Sequence, residues 1–302
     1  MRLVSVSENG SLKPGIEVGD DIADVLKVAE AAGWDDQSRA GLTTGRAVVA
    51  LGAQRLMELG EAAERHAEDL RRDGGLWPRA DVTLGPPVPD PGKIVCLGLN
   101  YKDHAAEAGL TAPAAPMFFA KWANSLAGPT DDIVPPAHAS EHVDYEAELA
   151  VVIGKRARNI DEADALDHVA GAMAFNDVSA RDLQIANTLW TGGKAIDTFG
   201  PCGPALVLGE ALGDLQALAV KTRVNGEVVQ DGNTESMIFG VAKTIAFLSG
   251  IMTLEPGDII ATGTPAGVGN SRDPKLFLHS GDVVEVEIEN IGSLRNRVGD
   301  PA

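Results

Sequence analysis

Two carboxylates at the mouth of an apolar run constrain this chain more than any other feature. The run reads Asp144-Tyr145-Glu146-Ala147-Glu148-Leu149-Ala150-Val151-Val152-Ile153. Strand side chains alternate between faces, so Glu146 and Glu148 share one face while Tyr145, Ala147 and Leu149 share the other. The β-rich apolar stretch that follows reads as a buried strand. Neighbouring carboxylates repel, and burying them unpaired is costly. A divalent cation removes that conflict. Val169 to Phe175 is a second apolar run, and it ends in Asn176-Asp177, which offers a further carboxylate. Such a trio suits a hard cation, Mg²⁺ or Mn²⁺, with positions left over for water and substrate. The competing reading is a set of solvated acids at strand ends, in a chain whose formal net charge is -19. Spacing alone leaves both open.

That charge argues against a nucleic-acid partner or an anionic membrane, since little in the chain would neutralise phosphates. The 302 residues allow one large domain or two ordinary ones, and a hydrophobic content of 44% is enough for a sizeable core. Cys96 and Cys202 both lie in apolar runs and form no Cys-x-x-Cys pattern, which points to a reduced, cytoplasmic protein. Met1 to Val6 reads as a strand and lacks the apolar core of a signal peptide. No run approaches the ~20 apolar residues that a membrane span needs.

Residues 1–84 read as a small N-terminal α/β domain. Leu3–Val6 and Gly15–Val18 have the pattern of a hairpin. Ile22–Ala32 carries helical spacing and stops at Gly33; Ala53–Arg72 reads as a second helix, with Leu56, Leu59, Ala63 and Leu70 on one face. Residues 85–92, Gly-Pro-Pro-Val-Pro-Asp-Pro-Gly, exclude regular helix and read as a stiff linker. Residues 93–302 read as the larger domain, rich in strands. Lys93–Leu97, Met117–Ala120, Asp258–Thr262 and Gly281–Glu289 have strand patterns. Lys102–Ala108, Asp161–Asp167 and Phe239–Gly250 read as helices. Ala219–Val224 and Glu227–Gln230 flank Asn225-Gly226, a strong type I′ hairpin signal. The expected fold class is α+β, mainly β.

Several residues in this larger part could carry chemistry. His104 and Glu107 are neighbours on one helical face. A carboxylate beside an imidazole orients it as a base that activates water; an ordinary surface pair would look the same. Arg181 and Gln184 follow Asp177 at spacings that let them face one site, and an arginine there can grip a substrate carboxylate or simply pair with an acid. Lys194, after Gly192-Gly193 in a loop-like stretch, could donate to a developing oxyanion. Gly263-Thr264-Pro265-Ala266-Gly267 could hold a carboxylate through its amides and the Thr264 hydroxyl, or serve only as a turn. His66, His138 and His142 read as solvated.

Taken in order, these residues fall into motifs. They are Gly98-Leu99-Asn100-Tyr101-x-x-His104-x-x-Glu107, Asp144-Tyr145-Glu146-x-Glu148-Leu149, Asn176-Asp177-Val178-Ser179-Ala180-Arg181-Asp182, Lys194-x-x-Asp197-Thr198-Phe199 and Thr262-Gly263-Thr264-Pro265-x-Gly267-Val268-Gly269. Over residues 93–298 the set resembles the fumarylacetoacetate hydrolase (FAH) superfamily. It most resembles the branch of FAH domain-containing proteins and 2-hydroxyhepta-2,4-diene-1,7-dioate isomerases. The resemblance implies a mixed β-sandwich roll with few helices, commonly a homodimer. It implies Glu146, Glu148 and Asp177 as ligands of Mg²⁺ or Mn²⁺. It implies His104 and Glu107 as a catalytic dyad on a lid. It places Arg181, Gln184 and Lys194 around the substrate's carboxylate and oxo groups, with Thr264 on a substrate-facing loop.

The function expected on this footing is metal-dependent chemistry on a small 2-oxo acid through a metal-stabilised enolate. The reaction would be C–C hydrolysis of an acylpyruvate or decarboxylation of oxaloacetate. The alternatives are a keto–enol tautomerase or isomerase and, from another class, a non-catalytic metabolite-binding protein.

Overall fold

The computed structural model describes residues 1–137, 140–186 and 188–302; His138 lies outside the described residues. Ala147–Ile153 is a strand buried along its whole length. Leu149, Val151 and Ile153 enter one apolar core, with Ala172, Ala174, Val220 and Val286. Ala150 and Val152 enter a second core on the opposite face, with Ile94, Met173, Phe175 and the N-terminal Val25, Val28, Leu56 and Leu59. The sheet is therefore a wall between two cores. This explains why its strands read as continuous apolar runs and not as alternating ones.

Among the described residues this main sheet has 12 strands. Its path runs Leu76–Pro78, Asp21–Asp24, Ser11–Val18, Arg2–Glu8, Gly200–Leu208, Val169–Asn176, Ala147–Ile153, Ile259–Ala261, Ile94–Gly98 and Met117–Lys121. Thr83–Gly85 and Leu126–Ala127 pair alongside this path. The register that matters sets Ala147 opposite Asn176 and Glu148 opposite Phe175. A 4-stranded sheet, Glu227–Asn233, Ala219–Val224, Val283–Ile288 and Gly292–Arg297, contributes to the first core. Its hairpin turns through Asn225 at φ 52° and Gly226 at φ 85°, the positive pair that a type I′ turn requires. The result is α+β and rich in strands.

The N-terminal segment departs from its sequence reading in three ways. Asp21–Asp24 is a strand, and the helix starts only at Val25, capped by Asp24, whose side chain accepts from the Leu26 and Lys27 amides. The long helix expected over residues 53–72 is two helices, Ala53–Arg65 and Ala67–Arg72, meeting at His66. The proline-rich segment, expected as a stiff linker, is itself partly packed. Gly85 to Val88 is buried, and Leu84 packs with Val4, Val6, Ile22 and Ala205. Arg2 and Leu3 pair with Val207 and Leu206, so the main sheet runs through both parts of the chain. Further on, the expected helix over residues 161–167 is a 3₁₀ segment, Glu162–His168. Among the described residues, no helix is long and apolar enough to cross a membrane.

Candidate metal and substrate site

The acids gather where Ala147–Ile153 begins. One carboxylate oxygen from each of Glu146, Glu148 and Asp177 lies within 4.8 Å of the others, and all three side chains are buried. Backbone pairing brings them together. The Glu146 amide donates to Asn176 Oδ1 at 3.0 Å, and the Asp177 amide donates to the Glu146 carbonyl at 2.9 Å.

Three cations answer this charge. Lys194 Nζ donates to Glu146 Oε2 and to Asp177 Oδ2, both at 2.8 Å. Lys121 Nζ donates to Asp177 Oδ1 at 2.7 Å. Arg181 pairs with Glu146 Oε1 at 2.6 Å and with Asp144 Oδ2 at 2.7 Å. Four acids against three bases leave one excess negative charge.

That excess settles on Glu148. Its Oε2 accepts from the Gly263 amide at 2.8 Å, while Oε1 is buried without a hydrogen-bond partner. Burial first, then the charges of Asp177 and Glu146, pushes its carboxyl well above the ordinary 4.5. Glu146 moves the other way. Burial alone would raise it, but Lys194 and Arg181 outweigh burial and hold it at about 2. For Lys194, burial alone would favour the neutral amine; Asp177 and Glu146 outweigh it and hold the ammonium protonated above its ordinary 10.5. The donors around Glu148 Oε1 are hard oxygens, the net charge is negative and one buried oxygen lacks a partner. These residues fit Mg²⁺ or Mn²⁺.

A cavity of about 200 Å³ opens beside the cluster. Glu146, Arg181, Gln184, Lys194 and Thr264 line it, together with apolar residues that include Leu97, Phe119 and Trp190. His104 reaches the same cavity from the short helix Lys102–Glu107. Its Nδ1 is buried without a hydrogen-bond partner and lies 3.6 Å from Glu107 Oε2, too far for a hydrogen bond. Glu107 accepts instead from the Gly267 amide, at 3.0 and 3.1 Å. Gly267 has φ 105°, and a Cβ there would lie 2.2 Å from the Val229 carbonyl oxygen, so only glycine fits. The helix that carries His104 is thus fastened to the Gly-Thr-Pro loop through Glu107.

All nine site residues expected from the sequence fall in this one region. Arg181 differs in its engagement, because Asp144 and Glu146 already occupy its guanidinium and Gln184 Oε1 accepts from it at 2.9 Å. Lys194 ends one helical turn, Thr191–Lys194, where a loop was expected. Gly193 is required there, since a Cβ would lie 2.5 Å from the Gln184 amide nitrogen. His142 stays outside the cluster, its ring 4.6 Å from that of Phe277.

Sequence reasoning passed over Lys121 and gave Asp144 no role. Lys121 closes the apolar strand Met117–Lys121 and is wholly buried. Asp144 joins Arg181 to the amides of Gly269 and Asn270, at 2.7 and 3.0 Å. A lysine ending an apolar strand was the available signal for the first; nothing local marks the second.

The family model described as fumarylacetoacetate (FAA) hydrolase C-terminal matches residues 93–299. Oxaloacetate tautomerase fahd2, mitochondrial, of Xenopus laevis is 45% identical over 245 residues, which cover 80% of this chain and 76% of that protein. The fumarylacetoacetate hydrolase of psychrophilic Exiguobacterium antarcticum aligns with a TM-score of 0.80 at 34% identity, over 99% of both chains. The maleylpyruvate hydrolase of Sphingobium sp. SYK-6, in complex with manganese(II) ion and pyruvate, aligns with a TM-score of 0.75 at 32% identity, over 100% of both.

Proposed function

This chain belongs to the fumarylacetoacetate hydrolase family, and on that premise we propose that it is a divalent-metal-dependent enzyme that enolises a small 2-oxo acid, oxaloacetate first. The observation that carries the reading is Glu148 Oε1, a buried, unpartnered carboxylate oxygen among two further acids. Glu146, Glu148 and Asp177 would hold Mg²⁺ or Mn²⁺. When bound, the cation supplies Lewis-acid polarisation of the 2-oxo group.

The chain's own groups do the rest. Protonated Lys194 stabilises negative charge that develops on the substrate oxygen. Gln184 and Thr264 offer polar contacts to the substrate carboxylate. Arg181, held by Asp144, contributes positive charge beside them. His104 takes the proton from C3 and delivers it to the 2-oxo oxygen, and the reverse transfer returns it to C3, which interconverts keto and enol forms. The tautomerase named in Xenopus laevis supports this order of preference.

Hydrolysis of an acylpyruvate is the second reading, supported by the maleylpyruvate hydrolase that holds manganese and pyruvate. It requires Glu107 to leave the Gly267 amide and orient His104 toward water. Decarboxylation of oxaloacetate would use the same enolate without a water nucleophile. A homodimer and a cytoplasmic location belong to this reading. Cys96 and Cys202, both free and buried, suit a reducing compartment.

Proton NMR of oxaloacetate and acetylpyruvate with metal-stripped protein, before and after Mg²⁺ or Mn²⁺ is added, tests it. Metal-dependent enol–keto exchange of oxaloacetate is the expected result. Acetate and pyruvate from acetylpyruvate would move the protein to the hydrolase reading. A metal-loaded protein that leaves both compounds untouched would sink both.

A further inference from the structure

Gln230 lies outside the cavity, yet it touches both halves of the site. It sits on the strand Glu227–Asn233 with 1% of its surface exposed. Its Oε1 accepts from the Ala147 amide at 3.0 Å and from Thr222 Oγ1 at 2.7 Å. Its Nε2 donates to Thr264 Oγ1 at 2.8 Å and to the Pro265 carbonyl at 2.9 Å. Both donors and both acceptor positions of the amide are used. Ala147 stands between Glu146 and Glu148, and Thr264 lines the cavity.

The orientation of this amide is over-determined. A backbone N–H can only donate, so Oε1 must face Ala147. A carbonyl can only accept, so Nε2 must face Pro265. Thr264 Oγ1, beside Pro265, therefore receives an N–H and must send its own proton elsewhere. Thr264 lines the cavity, and no protein acceptor for its hydroxyl occurs among the described residues.

We propose that Gln230 is a positioning residue that fixes the Thr264 hydroxyl as a hydrogen-bond donor to an anionic substrate oxygen. This rests on the functional reading above, since it takes the cavity's ligand to be an anionic 2-oxo acid.

Oxalate, a planar dianion that mimics an enolised 2-oxo acid, is the probe. Its affinity for Mn²⁺-loaded protein is measured by calorimetry for the wild type, Thr264→Ser, Thr264→Val, Gln230→Met and the Thr264→Val/Gln230→Met double variant. The Mn²⁺ affinity of each is measured separately. Thr264→Ser should bind as the wild type does. Thr264→Val should bind on the order of 10- to 100-fold more weakly, the loss of one hydrogen bond to a charged group. Gln230→Met alone should weaken oxalate binding with Mn²⁺ affinity unchanged, and adding it to Thr264→Val should weaken binding no further, because the first residue acts through the second.

Losses that multiply in the double variant would overturn the inference, as would Thr264→Val binding oxalate like the wild type. The second result decides alone should Gln230→Met not fold. A wild type that binds Mn²⁺ but not oxalate would overturn the functional reading, and this inference with it.

Discussion

Lys121 Nζ lies 2.7 Å from Asp177 Oδ1, and neither side chain reaches solvent. The pair sits behind the cluster, where an uncompensated charge would be expensive. Lys121→Met keeps the volume and removes the cation. Breaking a buried pair from one side costs roughly 3–5 kcal/mol. The metal-free variant should therefore melt well below the wild type, and Mn²⁺ should restore part of the loss by replacing the missing charge. Calorimetric melting with and without Mn²⁺ checks this; an unchanged Tm would show that the pair is dispensable.

Glu146 and Glu148 carry opposite pH signatures. The Glu146 carboxyl is held at about 2 against an ordinary 4.5. Its support for the fold is present above 4.5 and is lost as pH falls toward 2. Glu148 is pushed well above 4.5. Without metal, its support is present below 4.5 and is lost as pH rises through its folded value. A divalent cation displaces that proton. The gain in Tm from Mg²⁺ should therefore grow as pH rises above 4.5. Melting curves across that range decide it, and a constant gain would contradict the assignment.

His104 makes no hydrogen bond to the carboxylates that would hold the metal. His104→Ala should lower turnover by about 10²- to 10⁴-fold, as loss of a general base does, with little change in Mn²⁺ affinity. Glu107→Gln should cost less, because an amide oxygen still accepts from the Gly267 amide. Kinetics paired with Mn²⁺ titration separate the two effects. A matching fall in metal affinity for His104→Ala would refute a purely catalytic role.

Gly263 has φ 92°, and a Cβ there would lie 2.8 Å from Asn100 Cβ. Its amide is also the only hydrogen-bond donor to Glu148 among the described residues. Gly263→Ala should destabilise the protein by roughly 1–3 kcal/mol and weaken Mn²⁺ binding, since the backbone must shift away from Glu148. Titration calorimetry measures the second effect, and wild-type affinity would show that the amide contact does not position the ligand.

Much of the site was legible because strand parity is local. Glu146 and Glu148 fall on one side of an apolar run, and Asp177 ends another, so their convergence needs only that the two strands pair. Arg181, Gln184, Lys194 and Thr264 were legible chiefly through the order of their motifs, since each has an ordinary structural use. Lys121 was not, because its burial depends on Asp177, 56 residues away. Gln230 escaped for a similar reason: within its own hairpin it reads as one more polar strand residue. In the N-terminal part, helical spacing from Ile22 competed with sheet pairing. Asp21–Asp24 joined Ser11–Val18, and the helix was left to start at the Asp24 cap. Nothing in Ala53–Arg72 breaks the helical pattern at His66. The prolines of residues 85–92 excluded helix, but only the packing of Leu84 against Val4 and Ala205 decided that the segment would be buried.

The pairing of Arg2 and Leu3 with Val207 and Leu206 also imposes a timetable on biosynthesis. A ribosome adds roughly 5–20 residues each second, so the first strand emerges on the order of 10–40 s before the strand that completes its side. Ser11–Val18 and Thr83–Gly85 arrive early and cover part of that backbone. The remaining edge stays open to any other nascent strand until Gly200–Leu208 is made.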